Sequence, residues 1–275
     1  MNSQLDTRII SNFLLYLDHV IQSEGQAYQN VVARFYPVAS PIVGSYVFSS
    51  PIKPFCNDTS VSGANILSGL YLGNQYVSIG QSGLKAINHY QGTVYFTGIN
   101  PSGSTISGSA ALKEINIKLT DQPDWKLLFE TQYVTNNTNP VSPSTGLPLD
   151  AETTPIVFIR HKAQENRPFG FARLDNQTIN IRAIAVCDNE FQKLNVTTIL
   201  KNLNLRPIPM VTPSFDFLGN MTGVNFDYDT APQDNSVTPI ILGVKVIDIP
   251  QQGEFRNVVR NMAIVDFEIS TIARS

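Results

Sequence analysis

The sequence predicts an α+β fold dominated by an antiparallel or mixed sheet. Three observations lead there. An amphipathic helix opens the chain. A long middle region alternates β-rich stretches with Gly, Ser, Asn and Pro. A strand-to-helix unit near residue 190 is then followed by two more strands. The order of helix, strands, helix and strands is that of an α+β domain.

The opening helix is read from Ile10, Phe13, Leu14, Leu17 and Ile21, spaced by three and four. Ile9, Leu15, Tyr16 and Val20 widen this stripe, so the helix is central or shared between neighbours. Gly25 is a plausible stop, although "QAYQNVVARF" can carry the helix on as far as Pro37. From Tyr46 to about Leu119, "GSYVFSS", "YVSIG", "TVYFTG" and "EINIKL" read as short strands. Gln91 and Gly92 set a hairpin turn inside "HYQGTVYF". Asp124 to Val134 reads as a helix or an extended arm, with the helix favoured. "TPIVFIRH" is a strand, and "FGFARL" with "TINIRAIAV" forms a hairpin. A second helix covers about 189–204, capped by Asp188 or Asn189. Its inner side is assigned to Phe191, Leu194, Ile199, Leu200 and Leu203. Thr238 to Ile249 and Asn261 to Ser270 supply the last strands.

Two stretches lack such patterns. Residues 136–155 hold four prolines, and residues 219–239 are rich in Asn, Asp, Gly and Thr. Structureless segments of this length are uncommon in compact domains unless they serve a function. They are read as extended arms of a single β-rich domain over residues 1–275.

Charged residues make up 15% of the chain, the net charge is −3, and Asn occurs 24 times. No Lys/Arg cluster gives an electrostatic footprint for nucleic acid. No basic amphipathic stretch suits a membrane surface, and no apolar run is long enough to span one. No basic leader followed by an apolar core opens the chain, so it is expected to be made in the cytoplasm. The five N-x-S/T sequons then follow simply from abundant Asn and Thr. Low charge suits buried joints between subunits. It equally suits an ordinary protein with an Asn-rich surface.

Enzyme signatures are missing. His19, His89 and His161 make no HExxH pattern. "GQSG" at Gly80 to Gly83 is one residue short of a nucleophile elbow. The turn "VCDNEF" has no glycine to let a phosphate approach the backbone. Cys187 stands where a helix N-terminus stabilises a thiolate, but its apolar strand favours a buried thiol. Cys56 is likewise read as a lone buried thiol. Asp227, Asp229 and Asp234 lack a full Ca²⁺ loop pattern and read as a solvated acidic loop. No catalytic, cofactor or metal site is assigned.

Three stretches together resemble structural proteins of tailed bacteriophages. They are "IISNFLLYLDHVIQSEGQAYQNV", then "SSPIKPFCNDTSVSGANILSGLYL" with "SGLKAINHYQGTVYF", and "NIRAIAV" leading into "FQKLNVTTILKNL". About half the chain carries the likeness, which is to neck, head–tail junction and tail-completion proteins. The resemblance implies a non-enzymatic virion protein that forms a homo-oligomeric ring. Its neighbours would be a connector or adaptor and the tail tube or sheath. Subunit contacts are then expected from Ile10, Phe13, Leu14 and Leu17 of the first helix. Pro140, Pro143 and Leu147 in the first arm, with Phe226 and Tyr228 in the second, complete that set. An alternative is a receptor- or carbohydrate-binding virion module that stacks sugars on Tyr71, Tyr76, Tyr90 and Trp125. A third reading, a hydrolase built from distant residues, requires a pocket joining a His to a carboxylate and a nucleophile.

Overall fold

The computed structural model describes residues 5–40, 44–101, 103–131, 133–135, 152–169, 174–211, 226–249 and 261–274. The fold is α+β, and its sheets are mostly antiparallel.

Helix α1 covers Leu5–Ser23 and ends at Gly25. A side chain there would bring its Cβ within 2.5 Å of the Ile21 carbonyl. "QAYQNVVARF" does not extend the helix. It turns into strand β1, Tyr28–Val38. Val31, Val32 and Phe35 favour a pleated surface, and neighbouring strands supply the pairing that decides. Pro37 is tolerated because β7 pairs with β1 only as far as Phe35, so at Pro37 the strand has β2 alone beside it.

Seven short elements follow: β2 (Ser45–Ser49), β3 (Gly69–Leu72), β4 (Gln75–Ser78), β5 (Leu84–Asn88), β6 (Thr93–Thr97), β7 (Ile106–Lys113) and β8 (Asn116–Leu119). With β1, strands β2–β7 form a seven-stranded antiparallel sheet in the order β4-β3-β7-β1-β2-β6-β5. The hairpin at Gln91-Gly92 is present, and Gly92 takes φ +61°. This sheet gathers its own core from Phe35, Phe48, Phe55, Leu70, Phe96 and Leu112.

Asp124 to Val134 divides into helix α2 (Asp124–Phe129) and strand β9 (Tyr133–Thr135), which pairs in parallel with β10 (Glu152–Thr154). Five longer pieces come next: β11 (Ile156–Phe169), β12 (Leu174–Cys187), helix α3 (Glu190–Lys201), β13 (Ile240–Ile249) and β14 (Asn261–Arg274). "FGFARL" is not a hairpin partner of its own. The strand begun by "IVFIRH" runs on to Phe169 and pairs with β12 throughout. The five-stranded sheet has the order β13-β14-β12-β11-β8, with β8 the one parallel member.

Alternation on β12 sets what covers each face. Ile179, Ile181, Ala183, Ala185 and Cys187 join the core under α1 and α3. Ile184 and Val186 point the other way, towards Leu127 of α2. Ile156 and Phe158 of β11 share that second face, while Val157 and Ile159 share the first. Arg182 anchors α2 there. Its guanidinium grips both Asp266 oxygens at 2.7 and 2.8 Å and donates to Asp124 at 2.6 Å. Arg160 donates to the other Asp124 oxygen at 2.6 Å.

Asn189 caps α3 by accepting from the Gln192 amide, and Gln192 Oε1 accepts from the Asp188 amide. The helix faces the sheet differently from the sequence expectation. Leu200 and Leu203 are buried as expected, but Phe191 is 75% exposed and Leu194 is exposed too. Val196 and Lys193 take the inner side. Lys193 fits because its ammonium meets Glu190 at 2.8 Å and Asp248 of β13 at 3.1 Å. A long stem with a paired head packs as an apolar residue does.

Candidate functional site

The most enclosed set of ionisable groups lies where α1 meets two loops. Asp58 is 3% exposed. One of its oxygens accepts from Ser60 N at 3.0 Å, Ser60 Oγ at 2.6 Å and Tyr228 N at 3.0 Å. The other lies 2.8 Å from His19 Nδ1. Tyr228 stacks on the imidazole at 4.4 Å between ring centres. His19 Nε2 faces Asp229, 3.8 Å away.

Burial alone would lower the His19 pKa, but the Asp58 hydrogen bond and charge outweigh it and raise the pKa. Burial alone would raise that of Asp58. The donors from His19, Ser60 and the Tyr228 amide outweigh it and hold the carboxylate low. The two groups therefore form an ion pair. A His, a carboxylate and a Ser do meet here, but not in the order that nucleophilic catalysis uses. Ser60 lies on the Nδ1 side and donates to Asp58, while Nε2 faces a second carboxylate. The arrangement ties three segments together: α1, the 56–62 loop and the 226–229 segment. A backbone bridge between Asp58 and Phe226 reinforces it, as does the ion pair of Lys113 with Asp18 at 2.8 Å.

The other histidines stand elsewhere. His89 is buried against the Leu67 carbonyl at 2.8 Å, and burial lowers its pKa. His161 is exposed on β11. Both thiols are free and buried, and burial pushes each up to about 12. The three loop carboxylates diverge. Asp227 caps the Thr230 amide and Asp229 faces His19. Asp234 binds Ser236 and Arg8, which hold its carboxyl at about 2. Among the described residues, no group of three or more His, Cys, Asp or Glu is placed to hold a metal ion. No described helix is long and apolar enough to cross a membrane.

The expected contact residues are redistributed. Phe13 and Leu17 are fully buried in the chain's own core, Phe13 edge-on to Phe267 at 5.1 Å. Ile10 and Leu14 are half-buried against the same core. Phe226 and Tyr228 are buried too, so the 226–239 part of the second arm belongs to the fold. Gln233 and Asp234 confirm this by bonding back to Val211 and Met210. These side chains face inward because α1 covers a sheet of the same chain, which satisfies the stripe internally. Pro140, Pro143 and Leu147 lie outside the described residues. The four aromatic rings do not share one groove. Tyr71 and Tyr76 touch at 5.3 Å on the β3–β4 hairpin at one edge of the seven-stranded sheet. Tyr90 lies at the β5–β6 turn of the opposite edge, and Trp125 is on α2.

What the sequence reading missed is an open edge. β13 is ten residues long and ends its sheet. Among the described residues, no strand or loop bonds to the outer side of its backbone beyond Ile241. Ile240, Leu242 and Val246 are exposed on it. Leu205, also exposed, is held beside its start by the Leu205 amide donating to Ile241. Leu194 lies on the flank of α3 that carries Glu190, the flank turned to β13 by Lys193 and Asp248. The opposite edge is open as well. β8 pairs with β11 only as far as Ile159, leaving 160–169 without an outer strand among the described residues. The outer strands of the other sheet, β4 and β5, are four and five residues long. The signal in the sequence was "IILGVKVIDI": an unbroken β-rich run with a single Lys and no Pro, unlike a guarded edge. No family model matches the chain, and no curated protein matches it at a significant level.

Proposed function

We propose that this chain is a non-enzymatic structural protein of a tailed-phage virion. It works by assembling into a homo-oligomeric ring at the neck or head–tail junction, between the connector and the tail tube or sheath. The observation that carries the reading is the long open edge of β13 with Ile240, Leu242 and Val246 exposed along it. Soluble proteins guard such edges or use them, because unpaired N–H and C=O groups are templates for another strand. The sequence resemblance supplies the virion setting. The His19–Asp58 pair serves this role as a fastener that keeps the subunit rigid.

Light scattering on the purified protein, with negative-stain images of the same fraction, tests the reading. Closed rings of one size are expected. A monomer at every concentration, still monomeric beside a connector ring, counts against it. A second reading is favoured by the exposed Tyr71–Tyr76 pair: a glycan-binding virion module. Binding of the monomer to a glycan array, lost in Tyr71→Ala, would support that reading.

A further inference from the structure

We infer that Phe191 of one subunit plugs an apolar pocket of the next, between its α1 and β8. This deepens the assembly reading and rests on it. Phe191 and Leu194, one turn apart at the start of α3, are both exposed. Lys193 holds the inner side of that turn. Residues two apart lie roughly 200° apart round a helix, so Phe191 stands on the outer side. The pocket measures about 290 Å³ and is walled by Leu14, Leu15, Phe55, Tyr90, Ile117 and Leu119. An apolar cavity of about 150 Å³ admits a benzene ring, so a phenyl side chain fits here with space beside it. Tyr90 and Leu119 are exposed on the pocket wall, and seating Phe191 there removes apolar area from water on both partners.

The sheet sets plug and pocket at one level. Asp248 pairs with Ala263, Ala263 with Ala185, Ala185 with Val157, and Val157 with Ile117. This row crosses all five strands, from β13 at one edge to β8 at the other. Paired residues point the same way, so the row lies on the face that α1 and α3 cover. Lys193 ties the first turn of α3 to Asp248, which puts Phe191 at the first end of the row. Ile117, at the other end, lines the pocket. Rotation about an axis along the strands brings the first end of one subunit's row to the second end of its neighbour's. Charge favours the same pairing. The pocket lining holds Lys113 and Lys118 against one carboxylate, Asp18. Glu152 bonds Lys118 from outside that lining. Around the first turn of α3, Glu190 and Asp248 share one cation, Lys193. A net positive lining thus meets a net negative plug. Plug and pocket are different surfaces, so the contact is heterologous, and its repetition makes a ring when the rotation closes.

Truncation, blocking and photo-cross-linking test this. Phe191→Ala should raise the concentration for half-assembly on the order of 30-fold, the scale of removing an aromatic anchor. Leu119→Trp, which fills the pocket, should do the same. Both positions are exposed, so both variants should keep the wild-type circular dichroism spectrum. Mixed together, the two variants should form a dimer that grows no further, because only one plug and one open pocket match. Photoreactive p-benzoylphenylalanine in place of Phe191 should cross-link between subunits to the peptides that carry Leu14, Leu15 or Leu119. Wild type and Phe191→Ala assembling at the same concentration, or position 191 cross-linking to α3 of the neighbour, overturns this contact while the assembly reading stands. A wild-type protein that never assembles, alone or beside a connector ring, overturns both.

Discussion

A carboxylate as enclosed as that of Asp58 is stable as an anion only when its lone pairs are engaged. Four donors meet that need: Ser60 N, Ser60 Oγ, Tyr228 N and His19 Nδ1. Asp58→Ala is expected to cost about 3 kcal/mol, the scale of losing charged hydrogen bonds and stranding their partners. Urea unfolding at pH 6 measures it. The pH dependence has a definite sign. The folded pKa of His19 lies above 6.5, so its contribution is complete below that pH and fades as pH rises through the folded value. That of Asp58 lies below 3.8, so its contribution is complete above that pH and fades as pH falls through the folded value. The pair should stabilise most between these limits. The difference in Tm between wild type and His19→Gln should be largest near pH 5 and shrink towards pH 9. A constant gap would assign His19 to ring packing alone. The neighbouring Tyr228 hydroxyl is buried with no hydrogen-bond partner among the described residues. Tyr228→Phe keeps the stack and removes that orphan, so it should raise stability by about 1 kcal/mol. None of this was legible in the sequence. His19, Asp58 and Tyr228 are joined by tertiary placement, and no spacing between them announces it.

Elements were legible where the pattern was local. The stripe from Ile9 to Ile21 identified α1, and a cap at Asp188 or Asn189 identified the start of α3, because periodicity and capping involve neighbours in the chain. One continuation was left open and one helix face was misread, for the same physical reason: the deciding partner is distant in the chain. "QAYQNVVARF" has helix-compatible spacing, but β7 lies ready to pair with it, and sheet pairing overrides a weak local preference. Phe191 and Leu194 read as an inner face because no wheel shows that Asp248 will neutralise Lys193. Helix α2 is too short to stand by propensity alone, at six residues. Arg160 and Arg182 hold it to the sheet through Asp124, whose pKa they lower against the opposing effect of burial. Asp124→Ala should therefore release α2 before the sheet yields. Amide exchange at 126–130 should accelerate markedly while β12 stays protected. Equal loss of protection in both would show that α2 docks through Leu127 instead.

At the scale of the molecule, two sheets with separate cores are joined by polar contacts between α1, the 57–60 loop, Lys113 and the 226–228 segment. Core residues of the seven-stranded sheet and those under α1 form distinct clusters. Charged joints between them include Lys113 with Asp18 and Asp58 with His19. The α+β class could be read from element order, but this division could not. α1 is adjacent in sequence to the seven-stranded sheet, yet it packs on the five-stranded one formed by the chain's end. Such long-range packing leaves no local trace. If these joints couple the cores, wild type unfolds in one calorimetric transition, with the measured enthalpy equal to the van't Hoff value. Lys113→Ala combined with Asp58→Ala should then separate it into two, because each core keeps its own apolar burial while the coupling between them is lost. The five-stranded sheet, with α1 and α3 on it, should melt at the higher temperature. Its long strands are paired over most of their length, whereas the other sheet is built largely from strands of four or five residues. A single transition in the double variant, merely shifted downward, would mean that backbone pairing such as the Asp58–Phe226 bridge suffices to couple them. The two cores would then hold together as one rigid body without relying on their ion pairs.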